Sequence, residues 1–306
     1  MKIAFFEIKD EEKEFFSKNL KGYEVEFYTN TIDKIAVIPK NWDIVSVFIN
    51  SKIDKVLDNL PNLKYIQTRS TGYDHLECLK IYNKNIIASN VVGYAKYPVS
   101  EFAYGLLLTA IRKINIAINR VKNGDLNYLD LKGSEIFDKN IGILGLGDIG
   151  LNIAKIANGF SANIYGYSRT NKEIFKQLNI NFTSLEEILQ KSDYLFIALP
   201  LTPSTKHILN SKNINLFKGK VIINIARAEI IEKEVYQNFD GIIATDVLSD
   251  YNLAKKENII ATSHMAYYTQ EALNRIMQIS LDNMLDFLNN KTPRNCLKLK
   301  CKKDYK

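Results

Sequence analysis

The sequence predicts an α/β protein built from two parallel-sheet domains, and three observations carry that expectation. The chain is 306 residues long, short apolar strands alternate with helical stretches along most of it, and a glycine-rich turn stands between a strand and a helix near its middle. A chain of this length exceeds what one core usually organises. Hydrophobic residues make up 46% and charged residues 25%, the balance of an ordinary globular protein, so a core of normal size can form.

From residue 2 to about 90, β-rich runs at Lys2–Phe6, Glu24–Tyr28, Asp43–Phe48, Lys64–Thr68 and Ile86–Ser89 alternate with helical stretches. That rhythm predicts a small α/β domain with a mostly parallel sheet, spanning 1–95. Pro98 then stands in the first turn of a long helical pattern from about Val99 to Val121, where its missing N–H costs nothing. A second series follows at Asn140–Leu144, Asn163–Tyr167, Tyr194–Leu199, Val221–Ile225, Gly241–Thr245 and Asn258–Ala261. These runs are almost continuously apolar, as strands covered on both faces are, and six of them make a doubly wound sheet within a domain at 96–269. Ser184 with Glu187 three residues on reads as a capping box at the start of a crossover helix. One more helical pattern runs from Thr269 to about Asn289, before Pro293, and residues 270–306 are expected to complete the first domain.

Several function classes are disfavoured. The start of the chain turns acidic at Asp10, Glu11 and Glu12, leaving no apolar stretch for a signal peptide or membrane span. A cytoplasmic protein with no membrane association is expected. Cys78, Cys296 and Cys301 are odd in number, scattered, and lack metal-ligand spacing with the three histidines, so they read as reduced thiols and no metal site is expected. The net charge of +7 suits an anionic small molecule. Its lysines are spread along the chain apart from a terminal run (Lys298, Lys300, Lys302, Lys303, Lys306), so nucleic acid is not expected.

The glycine turn gives the first chemistry. Gly145, Gly147 and Gly150 form a G-x-G-x-x-G that follows a strand and opens a helix through Asp148 and Ile149. In such a motif the first glycine makes the tight turn, the second admits a pyrophosphate close to backbone, and the third lets helix and strand pack. The helix amino terminus adds N–H groups and the positive end of its dipole. The next strand ends in Ser168-Arg169-Thr170, where an NAD site would carry a carboxylate for the ribose hydroxyls. A guanidinium and two hydroxyls suit a 2′-phosphate instead, so NADP(H) is favoured and NAD(H) remains possible if Arg169 only stacks on adenine.

Two cationic candidates follow strands at the carboxyl edge of the same sheet, where doubly wound folds bind ligands. His264 comes just after Asn258–Ala261 and Arg227 just after Val221–Ala226. A histidine there can donate a proton near neutrality, and an arginine can neutralise a carboxylate and polarise a carbonyl. His75 and His207 lie in polar loops and are read as ordinary structural residues.

The strings "RSTGYDHLE" (69–77), "PVSEFAYGLLL" (98–108), "IGILGLGDIG" (141–150), "ALPLTPSTKHIL" (198–209), "INIARAEIIE" (223–232), "ATDVL" (244–248) and "TSHMAYYTQEA" (262–272) resemble the D-isomer-specific 2-hydroxyacid dehydrogenases in order and across nearly the whole chain. The resemblance implies a flavodoxin-like substrate domain beside a Rossmann-like NAD(P) domain, and hydride transfer between nicotinamide C4 and C2 of a short 2-keto or 2-hydroxy acid. It implies Arg227 as the residue holding substrate, His264 as acid/base, and Ser70, Thr71, Gly72 and Tyr94 as further substrate contacts. Cofactor contacts are implied at the glycine turn, at Leu199, Pro200, Thr202 and Thr205, at Ile225, Ala226 and Arg227, and at Asp246 and His264. A homodimer is also implied, with the helix after Pro98 as its contact through Phe102, Leu106, Ile111 and Ile114.

The chain departs from the family at two points. Tyr251 stands where the family has the glutamate that holds the histidine, with Asp250 one residue earlier as a substitute if the loop is rearranged, and Ser263 replaces the usual proline. Without that carboxylate, His264 is expected to titrate near the ordinary value of about 6.5. "TGYDH" and Tyr94 look like D-lactate dehydrogenases, whereas "YSRT" looks like NADPH-dependent glyoxylate and hydroxypyruvate reductases. Two other readings stand beside this one: a non-catalytic NAD(P)-binding regulator of the same fold, and a formate or phosphite dehydrogenase.

Overall fold

The computed structural model describes residues 1–76 and 78–297. Cys301 and the terminal lysine run lie outside the described residues, as does the side chain of Cys78; Cys296 carries a free thiol. The chain forms two compact units, Met1–Ala95 with the segment from Thr269 onward, and Lys96–Tyr268.

In the first unit, strands β1 (Lys2–Phe5), β2 (Glu24–Phe27), β3 (Ile44–Val47), β4 (Tyr65–Thr68) and β5 (Ile87–Ser89) form a parallel sheet in the order β2-β1-β3-β4-β5. This is the flavodoxin-like order. Helices α1 (Asp10–Asn19) and α2 (Cys78–Asn83) belong to the same unit. The central strands β3 and β4 are buried along their whole length because both faces of the sheet are covered, whereas the edge strand β2 has no fully buried residue. Ile3, Phe5, Ile44 and Tyr65 pack on one side with Phe16 and Leu20 and with Met277, Leu281 and Met284 of a later helix. Ala4, Phe6, Val45, Val47 and Ile66 face Trp42, Leu57 and Ile81 on the other.

The second unit opens with α3 (Lys96–Arg112) and α4 (Ile114–Lys122). The single helix expected over 99–121 is therefore two. Lys113 adopts a left-handed φ of 52°, and the carbonyl of Ile111 accepts from the Ser134 N–H at 3.0 Å rather than continuing the helical ladder. Pro98 lies two residues inside α3, still within its first turn. Val99, Ala103, Leu106, Leu107 and Ala110, at helical spacing, are buried, and Tyr104 donates to the carbonyl of Ile153 at 3.0 Å.

The rest is a parallel seven-stranded sheet of β6 (Asn140–Leu144), β7 (Asn163–Tyr167), β8 (Ile180–Phe182), β9 (Tyr194–Ile197), β10 (Val221–Asn224), β11 (Ile242–Thr245) and β12 (Ile259–Ala261), ordered β12-β11-β10-β9-β6-β7-β8. Its helices are α5 (Asp148–Gly159), α6 (Ile174–Gln177), α7 (Leu185–Lys191) and α8 (Lys233–Asn238), and α9 (Gln270–Leu288) returns to the first unit. The sequence reading has six strands here and misses β8. This edge strand has three residues, two of them exposed, so it lacks the apolar signature of its neighbours. The capping box at Ser184 is half formed: Ser184 Oγ accepts from the Glu187 N–H at 3.2 Å, while the Glu187 carboxylate turns to Thr183 and to Lys191. Strand order reverses between β6 and β9, which places the topological switch point beside the glycine turn.

Candidate active site

At the end of β6 the chain turns sharply at Gly145, with φ of +102°. A Cβ there would come within 2.6 Å of the Ala198 carbonyl oxygen, and one on Gly150 would collide with the Gly145 carbonyl. Both glycines are thus required by the protein itself. Gly147 is different: its φ of −81° suits any residue, and a Cβ added to it meets nothing within 4 Å. What the missing side chain leaves is open space at the amino terminus of α5, where the N–H groups of Asp148, Ile149 and Gly150 find no acceptor among the described residues. Open backbone approach and unpaired donors at a helix start fit a dinucleotide pyrophosphate.

Around this turn, Leu199 is buried and Pro200 exposed in the loop after β9, across the switch point. Thr205 Oγ1 donates to the Pro200 carbonyl at 2.6 Å and accepts from the Thr202 N–H at 2.8 Å, so these hydroxyls brace the loop. At the end of β7, Ser168 Oγ donates to the Thr170 carbonyl at 3.2 Å, and Arg169 and Thr170 are exposed.

The loop after β10 carries Arg227. Asn224, the last residue of that strand and fully buried, shapes it: its Oδ1 accepts from the Ala226 N–H at 3.1 Å, and its Nδ2 donates to the Arg227 carbonyl at 2.9 Å and to the Tyr236 hydroxyl at 3.3 Å. Ile225 and Ala226 are buried beneath the turn. Arg227 itself is half-buried, and its guanidinium donates to the Ala226 carbonyl at 2.8 Å.

His264 lies past β12 with a left-handed φ of 58°, an unfavourable conformation for a residue with a Cβ. Asp246, only 2% exposed, holds it there. One carboxylate oxygen accepts from Thr262 Oγ1 at 2.6 Å and the Met265 N–H at 2.9 Å, and the other accepts from the Ala266 N–H at 2.8 Å. The loop is therefore pinned on both sides of the histidine. The ring keeps access to solvent, yet its pKa lies below the ordinary histidine value. Loss of hydration is the largest cause; the Asp246 charge opposes it, and the Arg227 charge adds to it. Arg227, Asp246 and His264 are thus one electrostatic group.

This corrects the expectation that His264 titrates at its ordinary value. It also removes Asp250 as the substitute carboxylate. Asp250 accepts from the Asn252 N–H at 3.1 Å, caps a short 3-10 turn and pairs with Lys233 at 3.4 Å, and it is not among the charges acting on His264. Tyr251 is 80% exposed in that turn. Asn224 and Thr262 went unread in the sequence; a buried amide closing an otherwise apolar strand, three residues before an arginine, was the available signal.

In the first unit, the carbonyls of Ser70, Thr71 and Gly72 in the loop after β4 each accept a hydrogen bond from within the unit. Ser70 O accepts from the Val91 N–H at 3.0 Å, Thr71 O from Asn90 Nδ2 at 2.8 Å, and Gly72 O from Ser70 Oγ at 2.7 Å. The N–H groups of Ser70, Thr71 and Gly72 meet no acceptor among the described residues. Tyr94 is buried. No cluster able to hold a metal ion occurs among the described residues.

Residues 104–266 match the family model for the D-isomer specific 2-hydroxyacid dehydrogenase, NAD binding domain. The chain belongs to the D-isomer-specific 2-hydroxyacid dehydrogenase family. Among the relatives of this dehydrogenase, 2-hydroxyacid dehydrogenase homolog 1 of Schizosaccharomyces pombe is 33% identical across 94% of this chain and 96% of its own. The D-lactate dehydrogenase of Aquifex aeolicus, solved with NAD and lactic acid, matches with a TM-score of 0.87 and 26% identity over 94% of this chain and 96% of that one. An acyclic imino acid reductase solved with NADPH and D-Arg matches with a TM-score of 0.84 and 25% identity over 97% of this chain and all of the other. The dehydrogenase described here is accordingly an oxidoreductase acting on the CH–OH group of 2-hydroxy acids, and it binds a nicotinamide dinucleotide.

Proposed function

We propose that the enzyme reduces a short 2-keto acid to the D-2-hydroxy acid, using NADPH in preference to NADH, with Arg227 holding the substrate and His264 giving the proton. The observation that carries this reading is the coupled trio of Arg227, Asp246 and His264 at the carboxyl edge of the doubly wound sheet. The bound nicotinamide supplies the hydride. The Arg227 guanidinium neutralises the substrate carboxylate and polarises its carbonyl, and its charge favours the alkoxide that develops there. His264 delivers its proton to that oxygen and returns to neutral imidazole, which the depressed pKa favours. Asp246 keeps the histidine in its strained conformation and opposes premature loss of the proton. Within the first unit taken by itself, the N–H groups of Ser70–Gly72 have no acceptor among the described residues and suit an anionic group such as a carboxylate.

Preference for NADPH rests on Arg169, an exposed guanidinium that makes no hydrogen bond or ion pair among the described residues, and on the lack of a carboxylate at Ser168. Steady-state assays with NADPH and NADH against glyoxylate, hydroxypyruvate and pyruvate test the proposal; turnover of formate or phosphite instead of any keto acid would overturn it.

A homodimer remains the proposal, with only part of the expected contact changed. Of the four residues expected at the contact, Leu106 and Ile111 are 5% and 6% exposed and belong to the core of their own unit, whereas Phe102 is half-buried and Ile114 is 40% exposed. The exposed apolar surface lies further on, at Ile116, Ile118, Val121, Leu126, Tyr128 and Leu129. A run of this kind calls for a partner surface, and a second copy is the proposed one. A cytoplasmic location is kept as part of the proposal; no helix among the described residues is long and apolar enough to cross a membrane.

A further inference from the structure

We infer that His75 is a positioning residue for substrate binding: through a one-way chain of hydrogen bonds it locks the Ser70–Gly72 loop in the shape that presents its N–H groups. The inference rests on the reading of that loop as the cradle of the substrate carboxylate.

The chain has three links. His75 Nε2 lies 3.0 Å from Thr68 Oγ1, Thr68 Oγ1 lies 2.8 Å from Ser70 Oγ, and Ser70 Oγ lies 2.7 Å from the Gly72 carbonyl oxygen. Proton bookkeeping fixes the direction of each. A carbonyl only accepts, so the single hydroxyl proton of Ser70 goes to Gly72 O. Ser70 must then accept from Thr68, whose single proton is spent in turn. Thr68 therefore accepts, and His75 must carry a proton on Nε2 and donate it. Thr68 is fully buried and Ser70 is 3% exposed, so neither hydroxyl has water to fall back on.

The consequence falls on the loop. Gly72 O is turned inward by Ser70, and Ser70 Oγ is kept in that role because its lone pair is held by Thr68. Thr71 is fastened separately, by its Oγ1 donating to the Val91 carbonyl at 2.9 Å and its carbonyl accepting from Asn90. With these acceptors committed, the N–H groups of residues 70–72 are left as the donors of the loop. If His75 ceases to donate, Thr68 is free to turn away from Ser70, and Gly72 loses the constraint that orients its peptide. Substrate affinity then falls while the proton-transfer machinery of the other unit is untouched.

The test compares His75→Ala and Thr68→Val, which break the chain, with His75→Gln and Thr68→Ser, which keep a donor and a hydroxyl. For each, the keto-acid KM, kcat, the Kd for NADPH by fluorescence titration and amide hydrogen exchange of the peptide containing 68–76 are measured. The breaking variants should raise KM about tenfold, the worth of one hydrogen bond, with kcat within about twofold, unchanged Kd and faster exchange, and the conservative variants should restore the wild-type values. Unchanged exchange with unchanged KM would overturn the positioning role. Faster exchange with unchanged KM would instead overturn the carboxylate reading of the loop. A loss confined to kcat would place His75 in the chemistry and also overturn the inference.

Discussion

Replacing Asp246 by asparagine tests the electrostatic core of the site. The carboxylate takes three hydrogen bonds while almost fully buried. An asparagine side chain keeps one acceptor oxygen for Thr262 and Met265 but presents Nδ2, a donor, to the Ala266 N–H. The Ala266 N–H and the Nδ2 hydrogen facing it are then both without an acceptor, and two bonds lose their charge, for a cost of about 2–5 kcal/mol. The sign of the catalytic effect follows from the group itself. Asp246 raises the His264 pKa against desolvation and Arg227, so its loss must lower that pKa further. Reduction needs the protonated histidine; the limb on which kcat/KM falls with rising pH therefore lies below about 6.5 in the parent enzyme and moves to still lower pH in Asp246→Asn. The assay is a pH profile of keto-acid reduction at saturating cofactor, with thermal unfolding of the same variant. A profile and a melting temperature both matching the parent would refute the reasoning.

Arg169→Ala should raise the NADPH KM roughly 10- to 150-fold, the equivalent of about 1.5–3 kcal/mol for charge-assisted contacts, and leave NADH nearly unchanged; equal effects on both cofactors in steady-state kinetics would reject the 2′-phosphate assignment. Arg227→Ala should lower kcat and raise the keto-acid KM together, because the same guanidinium holds the ground state and the developing alkoxide; a change in KM alone would confine it to binding. Leu129→Asp, at a side chain 79% exposed, should shift the sedimentation profile from dimer toward monomer, whereas Leu106→Asp should impair folding; a Leu129→Asp protein that still sediments as a dimer would move the interface elsewhere.

The parts of this site that could be read from the sequence are those written in local chemistry. Gly145 and Gly150 follow from a turn and a close packing that a strand-glycine-helix pattern announces, and Arg227 and His264 stand just past apolar strands, where their position at the sheet edge follows from strand length alone. What could not be read depends on partners distant in sequence. The break at Lys113 coincides with Ser134 donating to the Ile111 carbonyl, a long-range contact that no pattern within 99–121 contains. Strand β8 exists because Ile180 pairs with Ile164 of β7, not because its own three residues look like a strand. The pinning of His264 by Asp246 joins positions 18 apart in the sequence, and the left-handed φ it sustains at a histidine has no sequence signature. For the same reason Asp250, adjacent to the family's carboxylate position, was a plausible substitute on paper and is occupied with Lys233 and Asn252 in the fold.

The most direct test of the central claim is the stereochemical outcome and rate of 2-keto acid reduction by the parent protein and by His264→Ala, followed as NADPH oxidation with chiral analysis of the product. The account predicts that glyoxylate, hydroxypyruvate or pyruvate is reduced, that any chiral product is the D-isomer, and that His264→Ala loses about 10²- to 10⁴-fold in kcat with little change in KM. An L-product, or a His264→Ala enzyme that turns over at the parent rate, would contradict it.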